Sequence, residues 1–317
     1  MSAFGARRRT GYAALLLLGL CGSSVEANPF TLNVHCGASG GLNSIGAALN
    51  ALKNVEVSAA FTINVSGACK ENVLIQNMPQ LTLNGLNGAS ITDASNGAGD
   101  VIDVDNSQVT ISGFAISGGF DGIACYYGAQ CHLIGNTIQG AADNAVFIYA
   151  ISRAKIDGGA LQNNVGGLAV QGDVIAGGVT VQNNSYLGVA VSRGGRLLFR
   201  NSDDGTTQSV SRNNGNFGIW VQGGNVTCAG CVSTGNQANG VFMELGATVQ
   251  FAGYGHPVEV TGNVGTGVFV GDAADALFVG TVTVTGNGAL AVYCNSPTSS
   301  VTHNAIAASA GSTNCTN

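Results

Sequence analysis

The sequence predicts an all-β solenoid, a chain wound in stacked coils of short strands with a short capping helix at its amino end. Three observations carry that expectation. From about residue 100 the sequence repeats itself with a variable period of 21 to 30 residues, the range of coil-stacking architectures. Each unit opens on a small residue and then alternates apolar and other positions with period two, which is strand and not helix periodicity. The chain has 49 Gly, only 4 Pro and 9% charged residues, yet is 45% hydrophobic. That composition excludes a disordered chain and a collagen. Val, Thr, Asn, Gly and Ala stand where a helical bundle would have Leu, Glu, Lys and Arg.

Residues 1–27 are expected to be a signal peptide. Arg7, Arg8 and Arg9 make a positive start, Ala13 to Leu20 an apolar run, and Val25-Glu26-Ala27 a small-residue cleavage site. The run is too short to cross a bilayer, and no later segment reaches about 18 apolar residues. A lipid anchor on Cys21 is the weaker reading, because Leu20 is large for the position before it. Export to the periplasm or to the outside follows.

Residues 28–60 are expected to form a first strand and a capping helix. Leu42, Ile45, Leu49 and Leu52 share one face of that helix, and Asn43 or Ser44 caps it. Residues 61–294 are assigned to the coils and 295–317 to a tail over the last coil. The openings of the coils are Gly122, Ala145, Gly167, Gly188, Gly218, Gly240, Gly267 and Ala291. An asparagine stands four residues before five of them, at Asn184, Asn214, Asn236, Asn263 and Asn287. In stacked coils such residues exchange amide hydrogen bonds from rung to rung. Two coils are longer, with insertions around Asn201 to Gln208 and around Phe251 to Pro257.

Charge and cysteines bound the function. The whole chain has 11 basic and 17 acidic residues; without residues 1–27, which hold three Arg and Glu26, 8 and 16 remain, a net charge near −8. Nucleic acid is therefore an unsuitable partner. Eight cysteines lie beyond the leader, an even number in an exported chain, and pairing of neighbours is favoured: Cys36 with Cys69, Cys125 with Cys131, Cys228 with Cys231, and Cys294 with Cys315.

The stretch Cys36-Gly-Ala-Ser-Gly, the capping helix and the run Ser66-Gly-Ala-Cys-Lys-Glu-Asn-Val-Leu-Ile together resemble exported right-handed parallel β-helix repeat proteins of the pectate-lyase-like superfamily. The resemblance covers nearly all of residues 30–295 and implies a single-stranded right-handed parallel β-helix. It also implies saccharide binding on the outward face of the sheet made by the first strand of each coil. Many activities share this scaffold, so it is specific for fold and weak for chemistry.

Two residues after each opening lies an outward position. The last four members of that file are Trp220, Phe242, Phe269 and Tyr293, an aromatic stripe about 14 Å long at one strand spacing per coil. Flat rings in a row suit the apolar faces of successive sugars, or else an oligomer contact or the tail. Gln222 and Glu244 lie in the next outward file, with Asp272 nearby, so Glu244 and Asp272 are the candidate acid and its partner. Asp103, Asp105 and Asp121, with Asp100, form an acidic group on two neighbouring coils, and calcium is the ion such a set would take.

Lyases of this fold join such acids to an arginine, but Asp103 and Arg193 are four coils apart, about 19 Å. The hydrolase-like fragments Asp203-Asp204, Gly255-His256-Pro257 and Arg153-Ala154-Lys155 stand in the wrong order. The expected function is binding, with degradation by a polysaccharide lyase or glycoside hydrolase activity left open. The competing reading is a non-catalytic surface or matrix rod of adhesin type. Short turns into the first sheet build no deep walls and favour binding.

Overall fold

The computed structural model describes residues 30–53, 60–303, 306–308 and 313–315; the expected signal peptide lies outside them. The chain is a right-handed parallel β-helix, and every strand pairing is parallel and joins one coil to the next. First strands, from Val73–Gln76 to Val292–Cys294, make a ten-stranded sheet. Second and third strands run together into a sheet of 21 strands. Alternation decides the sides. In Ile219–Gln222, Ile219 and Val221 are buried while Trp220 and Gln222 face outward, and the core is a column of Val, Ile, Leu and Phe between the sheets.

Asparagines form a continuous ladder at one corner. The side-chain amide of Asn164 donates to Asn184 (3.1 Å), and the relay runs on to Asn214 (3.0 Å), Asn236, Asn263 and Asn287 (2.9 Å each). Each acceptor oxygen also takes the backbone N–H of the preceding rung. The ladder explains the small opening residues. A Cβ on Gly218 would stand 2.5 Å from Asn236 Nδ2 and 2.6 Å from the Gly240 carbonyl oxygen, so only hydrogen fits beside the amides.

The helix spans Ile45–Leu52, shorter than the amphipathic pattern suggests, and buries Ile45, Ala48, Leu49 and Leu52 against the first coils. Ser44 caps it through Ala47 N–H, and the Glu71 carboxylate accepts from Ile45 N–H (2.8 Å) and Gly46 N–H (2.9 Å). All four disulfides join the neighbouring pairs expected from sequence. At the far end, Ser300–His303 and Ile306–Ala308 pair with Asp275–Thr285 and so add a partial rung.

The insertion expected at Phe251 to Pro257 is shorter than its sequence suggests. Thr248 to Gly253 stay in register with Asp275 to Gly280, and the register shift falls between Gly253 and Val258. Phe251 is a core residue stacked on Phe278 (4.6 Å) and not part of a loop. The apolar alternation continues through Phe251, so only residues 254–257 are extra.

Candidate functional site

The predicted aromatic file exists, but its rings face one another. Trp220, Phe242, Phe269 and Tyr293 are vertical neighbours in the first sheet and point outward. The Phe242 ring lies between Phe217 (4.6 Å, 7°) and Phe269 (4.6 Å, 17°), and Tyr293 leans on Phe269 (5.2 Å). Phe242 is stacked on both faces, while Tyr293 is tilted by 37° against Phe269: coil spacing nearly equals ring-stacking distance, so the phenyl rings in the middle of the file satisfy each other first. Phe217, which precedes the opening glycine, was missed because it lies outside the alternation.

Trp220 turns aside, donating its indole N–H to Glu244 Oε1 (3.3 Å), which also accepts from Gln222 Nε2 (3.1 Å). Glu244 thus positions two neighbours. Asp272 is exposed, and among the described residues the two carboxyls share no hydrogen bond.

Chemistry collects instead six coils toward the amino end. Asp103 and Asp105 stand two residues apart on the outward face of Ile102–Asp105. Each keeps one buried carboxyl oxygen without a donor from the protein. Burial, then the charges of Asp105 and Asp100, push Asp103 up to about 7. Burial likewise pushes Asp121 up to about 7, against hydrogen bonds from Asn144 N–H (2.7 Å) and Nδ2 (3.1 Å). Asp121 is wholly buried and organises the turn. Asp100 accepts from Asp121 N–H (3.0 Å) and from the Tyr126 hydroxyl (3.3 Å). Burial, then Asp100, Asp121 and Asp103, hold that phenol protonated.

Tyr126 also sits at the centre of an aromatic cluster of a different kind. Its ring lies 5.8 Å from Phe147 at 79°, 5.8 Å from Tyr149 at 54° and 6.0 Å from Tyr127 at 40°. These tilted contacts leave ring faces uncovered. Tyr149 and Tyr127 are exposed, and beside them Tyr127 and Ile151 hold left-handed backbone angles (φ 51° and 64°) that bulky residues avoid. Tyr126, Phe147 and Tyr149 lie in the outward files of sequence, yet nothing in sequence distinguishes rings that tilt from rings that stack.

Asp103, Asp105 and Asp121 do not converge as a metal site. Among the described residues, the one His/Cys/Asp/Glu trio with ligand atoms within 4.8 Å is Cys36, Cys69 and Glu71, whose two sulfurs form a disulfide. Asp121 turns into its own corner, away from an ion shared with the other two.

The hydrolase-like fragments do come together on the other face. Asp203 binds Lys155 Nζ (2.8 Å) and Arg200, which depress it to about 2, and Asp204 closes its own turn on Thr206. The two inserted turns touch, since Gln208 Nε2 donates to the Pro257 carbonyl (3.2 Å). These acids are tied up structurally. His35 and His132 bind Ser66 and Asp157 (2.7 Å each).

The right handed beta helix region family is matched over residues 100–254. No curated protein matches the chain in sequence. Among solved structures, the A-module of the Azotobacter vinelandii mannuronan C-5 epimerase AlgE4 is similar, with a TM-score of 0.62 and 14% identity over 79% of this chain and 76% of that one. The AlgE6 A-module from the same organism (TM-score 0.49, 12% identity, 85% and 92% covered) and the Dettilon tailspike protein (0.44, 12%, 80% and 64%) also match. At such identities the likeness to the AlgE4 module shows the fold.

Proposed function

We propose that this right-handed parallel β-helix protein is exported and binds an extracellular polysaccharide on the outward face of its first sheet, at Tyr126, Phe147 and Tyr149 beside Asp103 and Asp105. The observation that carries the reading is the juxtaposition of obliquely packed rings with two neighbouring acids, Asp103 and Asp105, each of which keeps one carboxyl oxygen without a donor. Ring faces take the apolar faces of sugars, and the half-buried carboxyls of Asp103 and Asp105 at the surface accept from sugar hydroxyls.

The acids have no Lys, Arg or His ion-pair partner among the described residues. A neutral glycan therefore suits this site better than a uronate, whose charge would meet like charges. Asp103, protonated up to about pH 7 beside the ionisable Asp105 and Asp100, has the protonation state of a general acid. Hydrolysis is the activity that this pair would serve. Four disulfides fit an oxidising compartment, and no helix among the described residues is long and apolar enough to cross a membrane. The AlgE4 module, of the same fold, belongs to an enzyme of mannuronan.

A glycan array followed by titration with a bound oligosaccharide and a reducing-sugar assay tests this. Tyr149→Ala is expected to weaken binding about tenfold, a loss of one ring contact and its surroundings, while Trp220→Ala leaves it unchanged. Asp103→Asn is expected to abolish any reducing-sugar release and to keep binding. Equal binding by Tyr149→Ala and the parent would remove the site. The rod reading is supported by the closed Phe217–Tyr293 stack, and failure of every glycan to bind would favour it.

A further inference from the structure

Basic residues are segregated on the opposite face. Of the 11 Lys and Arg, six fall between residues 153 and 212. Four of these, Arg153, Lys155, Arg196 and Arg200, project from the second strands Arg153–Asp157 and Arg196–Arg200. Two adjoining depressions of about 460 and 360 Å³ share Arg153 and Ala154. Together they make one shallow trough across six successive second strands, from Gln108–Ser112 to Asn225–Ala229.

Within the trough the cations differ in availability. Lys155 is held by Asp157 (2.9 Å) and Asp203 (2.8 Å), and Arg200 by Asp203. Arg153 touches Asp173 at only 3.7 Å, with both side chains more than half exposed (73% and 54%), a weak pair by any measure. Arg196 has no hydrogen bond or ion pair among the described residues. Arg153, Asp173 and Arg196 occupy one file in that order. The two guanidiniums are thus two coils apart, about 10 Å, on either side of a displaceable carboxylate. Between them the exposed Ile175 and the half-buried Leu198 form an apolar floor, with Asn225 at the edge.

We propose that this trough binds an anionic polysaccharide segment bearing carboxylate or sulfate groups, with Arg153 and Arg196 each taking one anionic group and the Ile175–Leu198 floor meeting sugar C–H faces. Paired planar forks at fixed spacing recognise such groups bidentately. The trough contains no Phe, Tyr or Trp side chain for base stacking, and its own acid Asp173 opposes the dense charge of a nucleic acid. The site is independent of the first-sheet reading.

The test is calorimetric titration of the purified chain with hexagalacturonate, with its methyl ester as the uncharged control, and with a heparin-derived hexasaccharide as the sulfate probe. One charged probe is expected to bind and the methyl ester to bind at least about tenfold more weakly. Their rank identifies carboxylate or sulfate. R153A/R196A is expected to weaken binding about tenfold or more, and D173N, which removes the competing carboxylate, to strengthen it severalfold. Misfolding cannot produce that gain. Equal binding of the methyl ester, an unchanged Kd in R153A/R196A, or no gain in D173N would overturn the proposal. So would binding to anionic phosphatidylglycerol vesicles without either hexasaccharide. Y149A is expected to bind hexagalacturonate like the parent; loss there would place the anion on the first sheet and overturn the trough alone.

Discussion

Asn214 is wholly buried, and its side chain has no spare polar atom. Its oxygen accepts from Asn184 N–H (3.1 Å) and Nδ2 (3.0 Å), while its amide donates to Asn236 Oδ1 (2.9 Å) and Ser211 Oγ (3.2 Å). Alanine there would strand donors in a place water cannot reach. Asn214→Ala is expected to cost about 2–3 kcal/mol, read from urea unfolding; a change under about 0.5 kcal/mol would mean that the ladder bonds are individually dispensable. The fixed offset of the asparagines was visible in sequence. In the pairs Asn163–Asn164, Asn183–Asn184 and Asn213–Asn214, however, one member takes the left-handed corner (φ 57°, 55°, 54°) and the other the ladder. Identical side chains carry no mark of which does which, and the coil-to-coil register settles it.

At the scale of the element, the two aromatic groups on the first sheet behave differently for a geometric reason. In the file from Trp220 to Tyr293 the phenyl rings match the coil spacing and close upon each other. At Tyr126 the file below holds Asp105 and the coil above holds Tyr149, so the ring reaches across to Asp100 and meets its neighbours obliquely. Phe242→Ala removes the middle of the closed stack and is expected to cost about 2–3 kcal/mol. Glycan binding should be unchanged in that variant, since the proposed platform is four to six coils away. A large loss of affinity with unaltered stability would return the stripe to a binding role. The same scale explains the second insertion, whose first residues continue the apolar alternation and so read as loop or strand until pairing with Asp275–Thr285 is seen.

For the whole molecule, Asp103 and Asp105, which have no basic partner among the described residues, sit on the first sheet, while the exposed Arg153 and Arg196 sit on the second strands, with an apolar core between the sheets. The carboxyls of Asp103 and Asp121, raised from 3.8 to about 7, are protonated more readily folded than unfolded. Their stabilisation is therefore complete below about pH 4 and is lost as pH rises through about 7. Thermal melts between pH 4.5 and 8, a window set by that linkage, should show Tm falling with pH, and Asp103→Asn, which stays neutral, should flatten the slope. Parallel curves for the two proteins would show that Asp103 is not perturbed.

The sequence by itself determined the rungs, the inward and outward sides and the order of the vertical files. All of these follow from strands of period two whose hydrogen-bond spacing is uniform along the stack, whatever the length of the turns between them. Only the tertiary structure decided how side chains within those files lie: that the phenyl rings of Phe217, Phe242 and Phe269 stack, that Glu244 serves Trp220 and Gln222, and that Asp103 and Asp105 lie half-buried beside tilted tyrosines. The tilt of a ring or the reach of a hydroxyl depends on neighbours above, below and across the sheet at once, which a one-dimensional pattern does not contain.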